Sequence, residues 1–520
     1  MSWLYPFHEK PWLTFGSEVL VFFPAIILIY IYIKEIKMIP IAFIGVFLIS
    51  FIPIIQYFFG LIYFFETSIL CFVYLQLFFL MMLLGYNLNE KDKKIIFDGL
   101  AAALVISSFF TVWICLIQWL NFDHQFKYIT QLVGIRPFGN MAQPNNMATL
   151  LNFGIFSIFY LNKNNKISNL KFYLLSVFLI FGLVLSYSRT GWIAFFLCLS
   201  ILLILNYKKE IFVKYIVLMI VFSCFIFLIP EASKLLNYYG YGVKNDSTLL
   251  TKIYEGSPRF NMWVQMIYAI KENWLYGYGW NQTAHGQISA SFFLYHSEQT
   301  SSAHNIILDL ILWNGLIIGL IIVFYALYLL LKIVLTKDYS DIKFKLIILI
   351  FLVHAMLEYP QNYAYFLITI GLVLGGVSKG FYGKNIKVNH YFFKLYYLLL
   401  IILSCLIVRD YNQMKYTVKI FENNDSNAFN ENSNLIVLDE KKAWINWMIL
   451  NKNQYLSKDE ILYYEKFVHS NPSQYNLINF IRLCIISHED EKSKYYYKVL
   501  SNIYKVEFTY EDIKQKIKPI

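Results

Sequence analysis

Apolar runs of about 17 to 25 residues recur along this chain, joined by short connections whose basic charge is almost all lysine. A helix rises about 1.5 Å per residue, so a run of that length crosses roughly 30 Å of hydrocarbon. Inside lipid every backbone N–H and C=O must be satisfied internally, which leaves only helices or a closed barrel. A barrel would show weak alternation in ten-residue segments, whereas these runs are continuous. With 58% hydrophobic and 15% charged residues among 520, a soluble globular fold is excluded. The expected fold is all-α and polytopic.

About twelve spans are expected, near residues 17–33, 39–58, 62–84, 95–119, 144–161, 171–187, 190–206, 212–229, 305–331, 345–358, 362–378 and 392–408. Alternate connections carry the lysines: Lys34/Lys37, Lys91/Lys93/Lys94, Lys163/Lys166/Lys171, Lys208/Lys209/Lys214, Lys332/Lys337/Lys343/Lys345 and Lys379/Lys384/Lys387/Lys394. Lysine-rich connections stay cytoplasmic. The rest is then outside: the N-terminal segment, the loop 120–143, the turn at Arg189, a large loop 230–304, the turn 359–361 and the tail. The expected domains are a membrane domain, 1–408, and a small helical extracytoplasmic domain, 409–520, in which helical hairpins are one possibility. The opening MSWLYPFHEKPWLTF lacks the basic start and small-residue site of a cleaved signal, so the first span is expected to direct insertion. The net charge of +11 sits in loops as an orientation signal, which argues against nucleic acid as a partner. Five of the six cysteines lie in apolar runs without paired spacing, suggesting neither a disulfide framework nor a metal site.

Arginine is used differently from lysine. Only five of the 44 basic residues are arginines (Arg136, Arg189, Arg259, Arg409 and Arg482), and all five fall outside, where basic residues should be scarce. A guanidinium is a rigid, permanently charged fork that binds phosphate in two places at once. Arg136, Arg189 and Arg259 are therefore candidates for gripping a phosphorylated group at the outer membrane face. The competing reading is a snorkelling helix end and ordinary surface charges.

The surroundings favour the first reading. In IRPFGNMAQPNNMATLL, Pro144 suits a first helical position, with Gln143 and Asn145 beside it and Arg136 near the positive helix end. In EGSPRFNMWVQMIYAI, Ser257 and Pro258 read as a helix start, with Phe260, Trp263, Val264 and Ile267 on one face. That face either lies on the membrane surface or packs inside a loop domain. In SSAHNIILDLILWNGLIIGL, His304 and Asn305 open the ninth span. His304 is either a structural cap or a group able to move a proton near neutral pH. Gly315 and Gly319 are spaced for close helix packing, and Asp309 has no evident use. In LVHAMLEYPQNYAYF, His354 and Glu358 share a helix face, with Tyr363 and Tyr365 following.

These stretches together resemble the superfamily of bacterial O-antigen ligases, O-antigen polymerases and protein O-oligosaccharyltransferases. The resemblance rests on Gly139 with Gln143-Pro144-Asn145, the Ser188-Arg189-Thr190-Gly191 turn, Pro258-Arg259 with Trp263 and Gly277-Tyr278-Gly279-Trp280, and His304-Asn305 with Gly315. PFHEKPWLTFGSE, HAMLEYPQNYAYF and the C-terminal domain most resemble the PglL-type protein O-oligosaccharyltransferases.

The resemblance implies transfer of a whole glycan from an undecaprenyl diphosphate carrier to serine or threonine of a periplasmic protein such as a type IV pilin. It implies no metal and no cofactor, in the bacterial cytoplasmic membrane, on its periplasmic side. Arg189 and Arg259 would then hold the diphosphate, and His304 would take the acceptor proton. Arg136, Gln143, Asn145, Asn305, Glu358 and Tyr363 would bind or orient substrates. A ligase using lipid A core, a polymerase using a second lipid-linked glycan, and a lipid-linked glycan transporter are the alternatives.

Overall fold

A computed structural model of the chain describes residues 1–205, 209–243, 259–295, 299–334, 341–379, 383–422 and 435–515. The helix start expected at Ser257 and Pro258, and Lys208 and Lys337 of the lysine series, lie outside the described residues. Among the described residues the regular secondary structure is almost all helix. The only sheet there is a two-stranded antiparallel ladder that pairs Met38 with Lys387 and Pro40 with Asn385.

By length and composition, five of the described helices can cross a membrane: Ile41–Phe58, Phe65–Asn87, Glu90–Trp119, Phe212–Tyr238 and Ile306–Ile333. Four shorter apolar helices accompany them: Phe15–Ile31, Asn169–Leu185, Arg189–Leu205 and Ala364–Val377. The protein is a multi-pass membrane protein. The run 39–58 forms two helices, Ile41–Ile49 and Ile52–Phe58, with Pro53 in the first turn of the second. The run 392–408 belongs to a longer helix, His390–Glu422, which passes Arg409.

The contacts divide the chain into two units, of which the first comprises Met1–Phe43, Leu77–Gly256 and Leu329–His390. Its centre is the helix Pro144–Lys163, buried on every side from Asn145 to Leu161, as a helix apolar all round must be. The helices Glu90–Trp119, Asn169–Leu185, Arg189–Leu205 and Ile342–Ala355 pack around it. Small residues bring backbones close: a Cβ on Gly375 would stand 2.0 Å from the carbonyl oxygen of Met82, and one on Gly85 2.3 Å from that of Leu372. At about 1.5 Å per residue the central helix is about 30 Å long, one hydrocarbon thickness. Asn145 stands at one end of it and Lys163 at the other.

The second unit comprises Ile44–Gln76, Ser257–Tyr328 and Tyr391–Ile520. Its C-terminal helices, Asp439–Ile449, Lys458–Ser470, Gln474–Ile486, Asp490–Tyr504 and Tyr510–Gln515, surround a core of Trp447, Phe467, Phe480 and Tyr496. Ser457 and Glu460 form a reciprocal capping box at the second of these. Phe64 and Ile288 enter the same core. Asp439 accepts from the backbone of Phe65 (2.9 Å) and Glu66 (2.8 Å), and Lys441 pairs with Glu66 at 2.9 Å. Segments near residues 64 and 288 and the tail thus meet in one core.

Candidate active site

In the first unit the polar residues gather where four helices begin or end. Pro144 fills the first turn of the central helix, where a missing N–H costs nothing, and the next residue, Asn145, is a hub. Its amide nitrogen donates to Glu358 Oε1 at 2.7 Å. Its oxygen accepts from Ser188 Oγ at 2.7 Å and Arg136 Nη2 at 3.3 Å. Arg136 Nε also donates to the Ser186 carbonyl at 3.1 Å. Gln143 Nε2 reaches the second oxygen of Glu358 at 3.4 Å. Glu358 is only 3% exposed, so its carboxylate depends on these amides; a hydrogen bond to a charged group contributes about 1.5–3 kcal/mol.

A second rung lies one turn deeper. His354 Nδ1 is 2.8 Å from Thr149 Oγ1. Positions 145 and 149 face 358 and 354, so the i,i+4 pair on the central helix meets an i,i+4 pair running the other way. Asn146 donates to Tyr365 Oη at 3.2 Å, and Tyr359, Tyr363 and Tyr365 stack in series at 6.1 and 5.3 Å. Glu18 accepts from Ala364 N at 2.8 Å, placing a carboxylate at the positive end of Ala364–Val377.

Ser188 also accepts from Gly191 N at 3.1 Å and so caps the helix that Arg189 begins. Arg189 is exposed, and among the described residues its guanidinium has no hydrogen bond or ion pair. A cavity of about 530 Å³ opens beside Arg136, lined by His8, Thr130, Gly134, Phe138 and Pro144. The loop around it is fixed by Gln118, whose amide accepts from Phe138 N and Gly139 N and donates to the Gly139 carbonyl. His8 Nε2 lies 2.9 Å from the Asn140 carbonyl, tying the N-terminal segment to that loop.

In the second unit Arg259 opens the helix Arg259–Glu272. This helix packs through Met262, Gln265, Met266 and Ala269 and leaves Phe260 and Ile267 outward, 68% and 54% exposed. Of the face expected to be apolar, Phe260 and Ile267 are therefore exposed while Trp263 and Val264 are half-buried. One turn after Arg259, Trp263 Nε1 donates to the Ala303 carbonyl at 2.9 Å, binding the helix to the turn that carries His304.

Asp309 builds that turn. It accepts from Ser302 Oγ (2.7 Å), Ala303 N (2.8 Å) and Thr283 Oγ1 (2.9 Å). His304 itself sits at φ +51°, a left-handed conformation uncommon for a side-chain-bearing residue. Asn305 Oδ1 accepts from Ile307 N and Leu308 N, so it caps the following helix.

Gly315 does not mediate helix packing of the expected kind. At φ +73° it breaks the helix Ile306–Val334, and a Cβ there would meet the Leu275 carbonyl oxygen at 2.3 Å. The freed carbonyls of Leu312 and Trp313 accept from Tyr278 N and Gly279 N, which accounts for the Gly277–Trp280 motif.

The structure brings together Arg136, Gln143, Asn145 and Glu358, with Tyr363 in the adjoining tyrosine stack. In the other unit it ties the helix of Arg259 to the turn of His304 and Asn305. Arg409 and Arg482 have partners inside the protein, Asp410 and Asn453. Thr149, Asn146, Ser188 and Asp309 complete these networks, and the sequence marks each by a polar group inside or at the end of a span. Among the described residues no group of three histidine, cysteine or acidic side chains could hold a metal ion.

Residues 174–324 match the family described as O-Antigen ligase, and residues 344–511 the family described as Virulence factor membrane-bound polymerase, C-terminal. Together with the helical bundle these define a membrane-embedded glycosyltransferase class. Two relatives come from Acinetobacter baylyi. The General O-oligosaccharyltransferase is 31% identical over 99% of this chain and 92% of its own length. The ComP-specific O-oligosaccharyltransferase is 32% identical over 67% of this chain and 62% of its own. The chain belongs to the O-oligosaccharyltransferase family: it is an enzyme of O-linked protein glycosylation.

Proposed function

We propose that the enzyme transfers a glycan en bloc from undecaprenyl diphosphate to serine or threonine of a periplasmic protein such as a type IV pilin, at the periplasmic face of a bacterial cytoplasmic membrane. The observation that carries this reading is the Asn145 hub. It holds Arg136, Ser188 and Glu358 in one network at the start of two helices, beside the unengaged guanidinium of Arg189. Helix starts and guanidinium groups suit a diphosphate.

In the reaction the acceptor oxygen bonds to the first sugar carbon while the bond from that carbon to the phosphate oxygen breaks. Its electron pair stays on the diphosphate. Charge therefore grows on the leaving group, and donors aimed there stabilise the transition state more than the ground state. Arg189 and Arg259 are assigned this role. Arg136, with Gln143 and Asn145, positions the donor. His304 accepts the hydroxyl proton, in a turn that Asp309 holds with Asn305 beside it; Glu358 and Tyr363 orient substrate. No metal or cofactor enters the scheme.

The test offers the purified full-length protein, in detergent with chelator, a lipid-linked oligosaccharide and one acceptor at a time. A pilin-like protein gaining the mass of one whole glycan supports the proposal. Transfer only to lipid A core makes the protein a ligase, and lengthening of the donor glycan makes it a polymerase. No transfer to any of them moves the transporter reading to the front.

A further inference from the structure

The first unit carries a second cavity, of about 580 Å³, at the end of the central helix opposite Asn145. Three lysines from three different connections line it: Lys163, Lys214 and Lys343. Among the described residues no acidic side chain does. Lys343 is only 6% exposed and has no hydrogen bond or ion pair among the described residues. Among the described residues, Asp98 nearby pairs with Lys166 at 2.9 Å and Asp341 with Lys93 at 2.6 Å. A buried ammonium without a counter-charge is costly unless an anion is supplied.

Other features of the cavity suit an oxyanion. Lys214 Nζ is steered by Asn169 Oδ1 at 2.7 Å and Asn162 Oδ1 at 3.3 Å, and lies 5.3 Å from the centre of the Phe172 ring. Asn169 begins the helix Asn169–Leu185, capped by Ser168, so a positive helix end also faces the cavity. The floor is apolar, formed by Phe159 and Tyr215 stacked at 5.3 Å. A lysine rim over an aromatic floor at a bundle end matches a phosphate attached to a hydrocarbon chain.

The geometry points to a binding site for the phosphate of an anionic phospholipid headgroup in the Lys163–Lys214–Lys343 cavity, distinct from the glycan-transfer residues and on the lysine-rich face. Its chemistry is independent of which acceptor the enzyme glycosylates. By supplying a counter-charge the lipid stabilises the folded bundle.

The test measures binding to the purified full-length protein in detergent, with phosphatidylglycerol, phosphatidylcholine and inorganic phosphate as separate probes. Phosphatidylglycerol is expected to bind saturably and phosphatidylcholine much more weakly. Lys343→Met and Lys214→Met should each weaken phosphatidylglycerol about tenfold or more, the loss expected for a charge-assisted hydrogen bond. Lys91→Met, an exposed lysine of the same net charge, should leave it unchanged. Inorganic phosphate binding as tightly as the lipid, and equally sensitive to Lys343→Met, would keep the phosphate site but make free phosphate its source. Equal binding of both lipids with no phosphate binding overturns the proposal, as does full retention of binding in both lysine variants.

Discussion

Asn145→Asp replaces one amide nitrogen by oxygen and leaves the shape of the side chain almost unchanged. In the native protein that nitrogen stands 2.7 Å from Glu358 Oε1. The variant sets two buried carboxylates against each other, with charge centres about 4 Å apart. At an effective dielectric of about 20 their repulsion is about 4 kcal/mol. The donated hydrogen bond, about 1.5–3 kcal/mol, is lost as well. Contacts from Arg136 and Ser188 to the other oxygen survive, so the damage is specific to the Glu358 side of the hub. The expected result is a clearly lowered Tm and transfer reduced by at least about a hundredfold. The double variant Asn145→Asp, Glu358→Gln reverses the polarity of the pair and should recover most of the lost stability. If its stability returns and transfer does not, Glu358 acts on substrate in addition to bracing the hub. Wild-type Tm and transfer in the single variant would refute the reasoning.

His304→Ala should abolish transfer while leaving Tm near wild type; retained transfer makes His304 structural. Asp309→Asn should weaken the turn that carries His304 and lower both Tm and kcat, and a variant with unchanged kcat would deny Asp309 that positioning role. Burial, together with the neighbouring His469, holds His285 down to about 3, and burial with the charge of Lys492 nearby holds His469 at about 4. Both rings are therefore neutral at pH 7, bonded through Tyr63, with Tyr496 and Glu465 completing the network. Below the ordinary histidine value of about 6.5 the unfolded chain takes up protons first, so stability falls as pH drops, by up to about 1.4 kcal/mol per pH unit per ring. Limited proteolysis of the C-terminal helices should accelerate between pH 7 and pH 5 and become less pH-dependent in His285→Phe; equal rates at both pH values would contradict the assignment. A cysteine placed at exposed Tyr475 should react with a membrane-impermeant reagent from outside, and labelling only after the cytoplasmic membrane is opened would reverse the topology.

Much of this was legible in the chain because spans and helix faces are periodic. The pairing of His354 with Glu358 on one face follows from spacing alone, as does the start of a helix at Pro144. Their partners are another matter: Thr149 and Asn145 lie more than two hundred residues away, and only the packing of Ile342–Ala355 on the central helix selects them. Gly315 shows the limit of spacing. Its four-residue relation to Gly319 reads as a packing stripe, yet the chain passes Leu275 so closely that the helix breaks there and pairs with the Gly277–Trp280 segment. Asp309 has no evident use in the sequence because its partners do not lie on its own helix. It holds the turn before the helix, through Ser302 and Ala303, and so acts off its own helix altogether. Phe260 and Ile267 face outward because the helix packs through Met262, Gln265, Met266 and Ala269, a choice of face that apolar composition alone does not make.

The central claim is that arginine at the start of a membrane helix grips the diphosphate and stabilises it as it leaves. Its most direct test is the kcat/KM for the lipid-linked donor of wild type and Arg189→Lys, measured on purified, equally folded protein. Lysine keeps the charge and loses the two-point contact, so a fall of about tenfold to a hundredfold or more, carried mainly by kcat, is predicted. Near-normal transfer by Arg189→Lys would contradict the account.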